Sequence, residues 1–331
     1  MLMKGARVSL LEGEKHRKTL LDRGILDINY KIAYDGDFII LPLKEEISGY
    51  EIIDYDFTPL EKRKKSLRET LSKKIPESYL LKLRAFDVIG NIALIHLTDE
   101  LIPYQKLIGE AFLELNPFIK AVFRKEVIEG AYRIPKLELI AGENITETIH
   151  REFGVRILLD ISKVYFSPRL SEERKRISSL VKKNEIVLDM FCGVGPFSLM
   201  ISKKSEAKKI YAIDINETAI FYLKRNVALN KTYNIFPIHG DSRKEIKDIE
   251  NPDRIIMNLP HSSFDFLPDV FSTYASSIVH FYSVSENIDF VMDKIIESSK
   301  KHDKKVEFIF ERTVKSYSPN TDIYCVDFHF S

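Results

Sequence analysis

The sequence is poor in several features, and each absence narrows the field. No apolar run reaches the roughly 18 to 20 residues that a membrane-spanning helix needs, and Met1 to Arg7 carry no signal-peptide core. Neither a membrane nor a secreted protein is expected. The two cysteines, Cys192 and Cys325, are far apart and lack metal-ligand spacing. A disulfide framework is excluded, and reduced thiols in a cytosolic protein are expected. The eight histidines are scattered, none paired with Cys or a carboxylate at ligand spacing, so no metal site is expected. Net charge is only +1, which excludes a bulk positive field. A nucleic-acid partner would need local basic patches. Such patches exist at Lys15 to Lys18, Glu61 to Lys65, Arg169 to Lys183, Lys203 to Lys209 and Lys300 to Lys305, although each alone reads more readily as a solvated helix face. Tryptophan is absent and glycine is sparse, 13 in 331 residues.

Apolar residues make up 44% and charged residues 30%, the balance of a globular chain long enough for two or three domains. Residues 1–62 read as a small α/β unit. A strand at Ala6 to Leu10 precedes a helix ending near Gly24, and Asn29 to Ala33 with Phe38 to Leu43 form a hairpin around Asp35-Gly36. The charged stretch Glu61 to Arg68 reads as a linker. Residues 68–165 form a second α+β unit. Its strands are expected within Asp87 to Leu97 (broken at Gly90-Asn91), Ala121 to Arg124, Leu137 to Ala141, Glu147 to Arg151 and Val155 to Asp160, with a helix from Glu100 to Leu115. Over 166–331 helices and strands alternate with short connections, which implies a Rossmann-like, doubly wound, mostly parallel sheet. The last two expected strands, 305–312 and 321–330, flank Ser318-Pro319-Asn320 and predict a closing hairpin.

The most informative stretch is Val187-Leu188-Asp189-Met190-Phe191-Cys192-Gly193-Val194-Gly195-Pro196-Phe197: an apolar strand, an acid at its end, then a turn opening a helix. Two further acids, Asp214 and Asp241, close the next two strands. Ligands of open α/β sheets bind beyond the carboxyl ends of the strands. Gly193 and Gly195 allow close backbone approach, with Phe191 and Val194 in the same turn. Asp214 is placed for two ribose hydroxyls and Asp241 for an adenine amino group, with Ile215 and Ser242 beside them. Asp189 is placed near an ammonium. This pattern points to S-adenosyl-L-methionine as cofactor. A dinucleotide site is the competing reading, but its G-x-G-x-x-G fingerprint needs glycine where Ser198 stands. Asn258-Leu259-Pro260-His261 closes the fourth strand and resembles the Asn/Asp-Pro-Pro-aromatic motif of methyltransferases acting on base amino groups. Leu259 and His261 depart from it, and Asn258 could instead cap the next helix.

Tyr165-Phe166-Ser167-Pro168-Arg169-Leu170 with Glu173-Arg174, Gly142-Glu143-Asn144, Thr148-Ile149-His150, the Asp189 to Phe197 turn, Asn258-Leu259-Pro260 and Val314-Lys315-Ser316-Tyr317 together resemble the archaeal and eukaryotic tRNA (guanine-37-N1)-methyltransferases. The likeness runs through nearly the whole chain. It implies a class I methyltransferase domain at the C-terminus, two smaller RNA-contacting domains before it, tRNA as partner and a monomeric state. It assigns Glu173 as general base for the guanine N1 proton and Arg133 as donor to guanine O6. Asn258 would hold the guanine edge, Tyr165 and Pro260 would shape the pocket, and Arg169 and Arg174 would reach cofactor or phosphate. By residue type alone, Glu173 reads as a first-turn acid favoured by the helix dipole, and the arginines as surface partners of Glu172 or Glu173. Competing functions are methylation of a wyosine-type intermediate or another RNA, and a non-catalytic RNA-binding scaffold.

Overall fold

The computed structural model describes residues 2–60, 66–83, 86–129, 134–318 and 320–331, apart from the side chains of 127–129 and 134–135. The chain forms two compact units, Met1–Ser66 and Leu67–Ser331.

The first unit is an antiparallel sheet of β1 (Leu2–Ser9), β2 (Ala33–Asp35), β3 (Phe38–Pro42) and β4 (Glu51–Asp56), ordered β2-β3-β1-β4. Helix α1 (Gly13–Asp22) buries Leu20 against Ala6, Ile39 and Leu41. The expected Asp35-Gly36 turn is present, with Gly36 at φ +55°. The strand before it starts at Ala33 rather than Asn29, and β4 adds a strand that the charged, weakly alternating Glu51–Asp56 did not signal. Residues 61–65 of the expected linker lie outside the described residues.

The second unit starts with the short helices α2 (Leu67–Leu71) and α3 (Glu77–Leu80), then β5 (Asp87–Ile89), β6 (Ile92–Ile95), α4 (Gln105–Leu115), β7 (Ala121–Glu129) and β8 (Ile134–Gly142), with sheet order β5-β6-β7-β8. The helix expected from Glu100 begins as a 3-10 turn over Asp99–Tyr104, where Pro103 interrupts the α-helical hydrogen-bond ladder. The hairpin β9 (Glu147–Glu152) and β10 (Val155–Asp160) follows.

The remaining elements are α5 (Ser171–Leu180), β11 (Ile186–Asp189), α6 (Pro196–Lys204), β12 (Lys209–Asp214), α7 (Glu217–Asn230), β13 (Ile235–His239), α8 (Ser242–Glu245), β14 (Arg254–Met257), α9 (Leu267–Thr273), β15 (Ser277–Ser285), α10 (Ile288–Lys300), β16 (Val306–Ser318) and β17 (Thr321–Phe330). Among the described residues their sheet runs β13-β12-β11-β14-β15-β17-β16, with β17 antiparallel to both neighbours and the first five strands parallel. This is the doubly wound sheet with a closing hairpin that the alternation predicts. Period-2 alternation sends Val187, Ile210 and Ala212 to one core with α6 and α7. Leu188, Ile213, Ile255 and Val279 go to the other, with α9 and α10. Because β11 to β15 pair in parallel, their carboxyl ends open onto one common edge.

Candidate active site

The turn after β11 builds the floor of the site. Gly193 takes φ +54° and Gly195 φ +83°, conformations that a side chain strains. At Gly195 an added Cβ would also lie 2.3 Å from Leu223 Cδ1. Pro196 then opens α6, where its missing N–H costs nothing. The Gly193 N–H donates to Asp214 Oδ2 at 2.7 Å, and Asn216 N–H donates to Asp214 Oδ1 at 2.8 Å. The Asp214 carboxylate is therefore aimed by two backbone donors. Burial raises its pKa, and these two N–H bonds offset part of the rise.

Asp189 is 1% exposed. Ser198, at the position a dinucleotide site reserves for glycine, donates its hydroxyl to Asp189 Oδ2 at 2.7 Å. Its other oxygen, Oδ1, is buried with no hydrogen-bond partner among the described residues. Burial, together with the Asp214 charge, pushes the Asp189 carboxyl up to about 7, against the pull of Ser198. An orphaned carboxylate oxygen beside the turn suits a donor or a cation.

A cleft of about 210 Å³ opens at this sheet edge, and Tyr165, Phe191, Gly193, Asp214, Ile215, Asp241, Ser242, Asn258 and Pro260 all line it. Asp241 caps α8 by accepting Arg243 N–H at 3.0 Å on Oδ1. Ser242 is spent inward, donating to the Met190 carbonyl at 2.5 Å. Ile215 is 56% exposed, an apolar surface on which a flat ring can lie. Asn258 does not cap the following helix. Among the described residues no partner holds its amide, whereas Ser263 makes the local bonds, to Leu259 N–H and the Met257 carbonyl.

The remaining expected residues are not among the cleft's lining. Val194 is fully buried in the turn. Arg169 is half exposed and pairs with Asp87 at 2.6 Å, not with Glu172 or Glu173. Arg174 is 1% exposed and forms a two-pronged pair with Glu152, 2.6 Å on each arm, while also donating to the Ser167 carbonyl. The reach to cofactor or phosphate expected of Arg174 is thus replaced by a buried pair that ties α5 to β9. Arg133 lies outside the described residues. Glu173 stands one turn along α5 from Leu170, which lines the cleft. It is 3% exposed and accepts from Tyr282 Oη at 2.7 Å and from Arg176 Nη2 at 2.6 Å.

The chain is 42% identical, over 98% of its own length and 98% of the relative's, to the tRNA (guanine(37)-N(1))-methyltransferase Trm5b of Pyrococcus abyssi. It belongs to the tRNA (guanine-37-N1)-methyltransferase family. Its segments match the tRNA methyltransferase 5 N-terminal domain (5–51), the TYW2 N-terminal domain (67–146) and the TRM5/TYW2 methyltransferase domain (148–309). The crystal structure of wild-type Trm5b from P. abyssi matches with a TM-score of 0.78 at 41% identity, covering 99% of each chain. The complex of aTrm5 with tRNALeu matches with a TM-score of 0.75 at 35% identity, covering 98% of this chain and 99% of that one. The M. jannaschii TYW2 complex with AdoMet matches with a TM-score of 0.57 at 27% identity, covering 75% of this chain and 99% of that one.

Several cleft residues of this methyltransferase escaped the sequence reading. Phe266 meets Phe191 edge to face at 4.7 Å, and the Arg243 guanidinium sits 4.0 Å over the Phe266 ring. Ile323 arrives from the closing hairpin, beside Lys315, which the Val314-Lys315-Ser316-Tyr317 motif had already named. Phe266 follows the Asn258 motif by one short turn, so its proximity was readable. Ile323 carried no local signal, because only the order of strands across the sheet brings it to this edge.

Proposed function

We propose that this chain transfers a methyl group from S-adenosyl-L-methionine to N1 of guanosine 37 of tRNA. The observation that carries this reading is the cleft itself: in a chain with whole-length kinship to these enzymes, it gathers Phe191, Gly193, Asp214, Asp241, Asn258 and Pro260 at one sheet edge. The cofactor's chemistry fits these groups. Asp214, fixed by two N–H donors, keeps lone pairs for two ribose hydroxyls. Asp241 Oδ2, 3.8 Å from the Arg243 guanidinium and not hydrogen-bonded among the described residues, can accept the adenine amino group; Ile215 offers the ring a flat apolar contact, and the orphaned Asp189 oxygen suits the ammonium. When bound, the cofactor supplies an electrophilic methyl group on a sulfonium.

The chain's own residues do the rest. The target base must leave its stack to enter the cleft, between Tyr165 and Pro260. The free Asn258 amide holds the guanine edge. Glu173 takes the N1 proton as the new N–CH3 bond forms, so that the neutral ring ends as a neutral product. Arg133, by the family resemblance, stabilises the charge that grows on O6. General-base help of this kind is typically worth about 10² to 10⁴-fold. Residues 1–62 and 68–165 serve as tRNA-contacting domains and 166–331 as the transferase, acting as a monomer in the cytosol. Among the described residues no helix is long and apolar enough to cross a membrane. Glu173→Ala tests the assignment. Methyl transfer is lost while tRNA and cofactor affinity stay within about twofold; full transfer by this variant would remove Glu173 from the mechanism.

A further inference from the structure

Behind Glu173 a line of buried polar groups runs across the sheet. Arg176 bridges Glu173, at 2.6 Å, and Asp327, at 2.7 Å. Asp327 meets His280 Nδ1 at 2.7 Å, His280 Nε2 meets Arg254 Nη1 at 2.8 Å, and Arg254 Nε donates to Glu185 at 2.9 Å. Arg254 can only donate, so His280 Nε2 must be the acceptor and Nδ1 carries the hydrogen given to Asp327. His280 is therefore neutral. Burial, above all, drives its pKa down, in keeping with that assignment. Burial alone would raise the Asp327 carboxyl, but His280 and Arg176 hold it well below the usual range.

The charge count along this line is informative. Arg254 is matched by Glu185, and Arg176 by Asp327. Glu173 is the remaining anion, and its other cation, Arg312 on β16, lies 3.5 Å away with a side chain 40% exposed to water. Every well-buried charge thus keeps a partner when Glu173 is neutral. Were Asp327 absent, protonating Glu173 would strand the Arg176 guanidinium, at a cost typical of an unpaired charge.

We propose that Asp327 is a positioning residue of the methyl-transfer reaction: by neutralising Arg176 it leaves Glu173 free to accept the guanine N1 proton. The proposal rests on the general-base reading of Glu173. The groups facing Glu173 are Arg176 on α5, Tyr282 on β15, Arg312 on β16, and Cys325 and Asp327 on β17. None besides Asp327 supplies Arg176 with a second carboxylate.

The test is single-turnover methyl transfer to a guanosine-37 transcript, followed from about pH 5 to 9. In Asp327→Asn, Arg176 turns its whole charge on Glu173, a weaker base results, and the plateau falls by up to about tenfold. The acid limb of the profile moves to lower pH by about one unit. In Arg176→Gln the limb moves the opposite way, to higher pH. Affinities for cofactor and tRNA are unchanged in both. Opposite displacements are not a consequence of loosened packing. Limbs that stay in place, or move together, overturn the proposal. Should Asp327→Asn not fold, Asp327→Ser, which also removes the carboxylate, is read by the same displacement to lower pH. Glu173→Gln, run alongside, keeps the two questions separate: full transfer by that variant removes the general-base assignment itself, whatever the other profiles do.

Discussion

Asn226 and Asn230 stand one turn apart on α7, and each side-chain amide pairs with the backbone of one residue of β10. Asn226 accepts from Leu158 N–H at 2.7 Å and donates to the Leu158 carbonyl at 3.0 Å. Asn230 accepts from Arg156 N–H at 2.9 Å and donates to the Arg156 carbonyl at 2.6 Å. The match is geometric: four helical residues rise about 6 Å, close to the ~6.6 Å spanned by two strand residues. A helix face thereby completes the hydrogen bonding of a strand edge. Asn226 also donates to the Val194 carbonyl at 3.1 Å, so the same side chain steadies the cofactor turn. Asn226→Ala strands a buried N–H and two carbonyls, each costing roughly 1–3 kcal/mol. Urea denaturation is expected to register a loss of at least about 3 kcal/mol. A loss below about 0.5 kcal/mol would mean that water replaces the amide at no cost.

Asp189 makes the site sensitive to pH. Its carboxyl is pushed up to about 7 by burial and the neighbouring Asp214 charge. The sign follows from an acid whose folded value lies above its unfolded one. Its contribution to apo stability is greatest below the unfolded value, near 4, and is lost as pH rises through about 7. A cofactor ammonium favours the ionised form, so affinity should rise as pH climbs through the same value. Calorimetric titration of S-adenosyl-L-methionine into wild type and Asp189→Asn isolates this group, because other titrations are common to both. The variant is expected to bind more weakly above neutrality, with a flatter profile. Parallel profiles would place the ammonium elsewhere.

Asp214 joins the cofactor turn to the ribose position through Gly193. Asp214→Asn keeps the shape but loses the charge and one acceptor. Hydrogen bonds to a charged group are worth about 1.5–3 kcal/mol, so cofactor affinity should fall roughly ten- to hundredfold. An affinity within about twofold of wild type would show that the ribose is held by other groups.

Gly195 and Gly154 separate two costs of adding a methyl group. Both are at positive φ, +83° and +84°, but a Cβ on Gly195 would lie 2.3 Å from Leu223, whereas on Gly154 it meets nothing within 4 Å. Gly154→Ala should cost about 1 kcal/mol from backbone strain alone. Gly195→Ala should cost about 1–3 kcal/mol more, as Leu223 is displaced from the core. Thermal unfolding of the two variants reports the difference, and equal losses would mean that Leu223 yields freely.

Local chemistry was legible in the sequence, and long-range closure was not. The strand Val155–Asp160 and the strand Thr321–Phe330 were readable to the residue, because β-branched and aromatic runs sit between clear turn signals. Acids at three strand ends pointed to the cleft. The role of Ser198 as partner of Asp189 was invisible, since it depends on helix α6 turning its first residues back over β11. The bond between Arg174 and Glu152 was equally hidden, because its two members are 22 residues apart on elements whose docking no spacing encodes. Polar Thr313 to Ser318 lacked an apolar alternation, yet belong to β16, whose pairing with β17 supplies the order that the side chains do not.

The most direct measurement is methyl transfer from labelled S-adenosyl-L-methionine to unmodified tRNA transcripts carrying guanosine or adenosine at position 37, with the product nucleoside mapped by nuclease digestion and mass spectrometry. N1-methylguanosine is expected at position 37 of the guanosine transcript, with no label in the adenosine transcript. No transfer despite measurable tRNA binding, or label at another position, would contradict this expectation and point to a premodified substrate or a scaffold role.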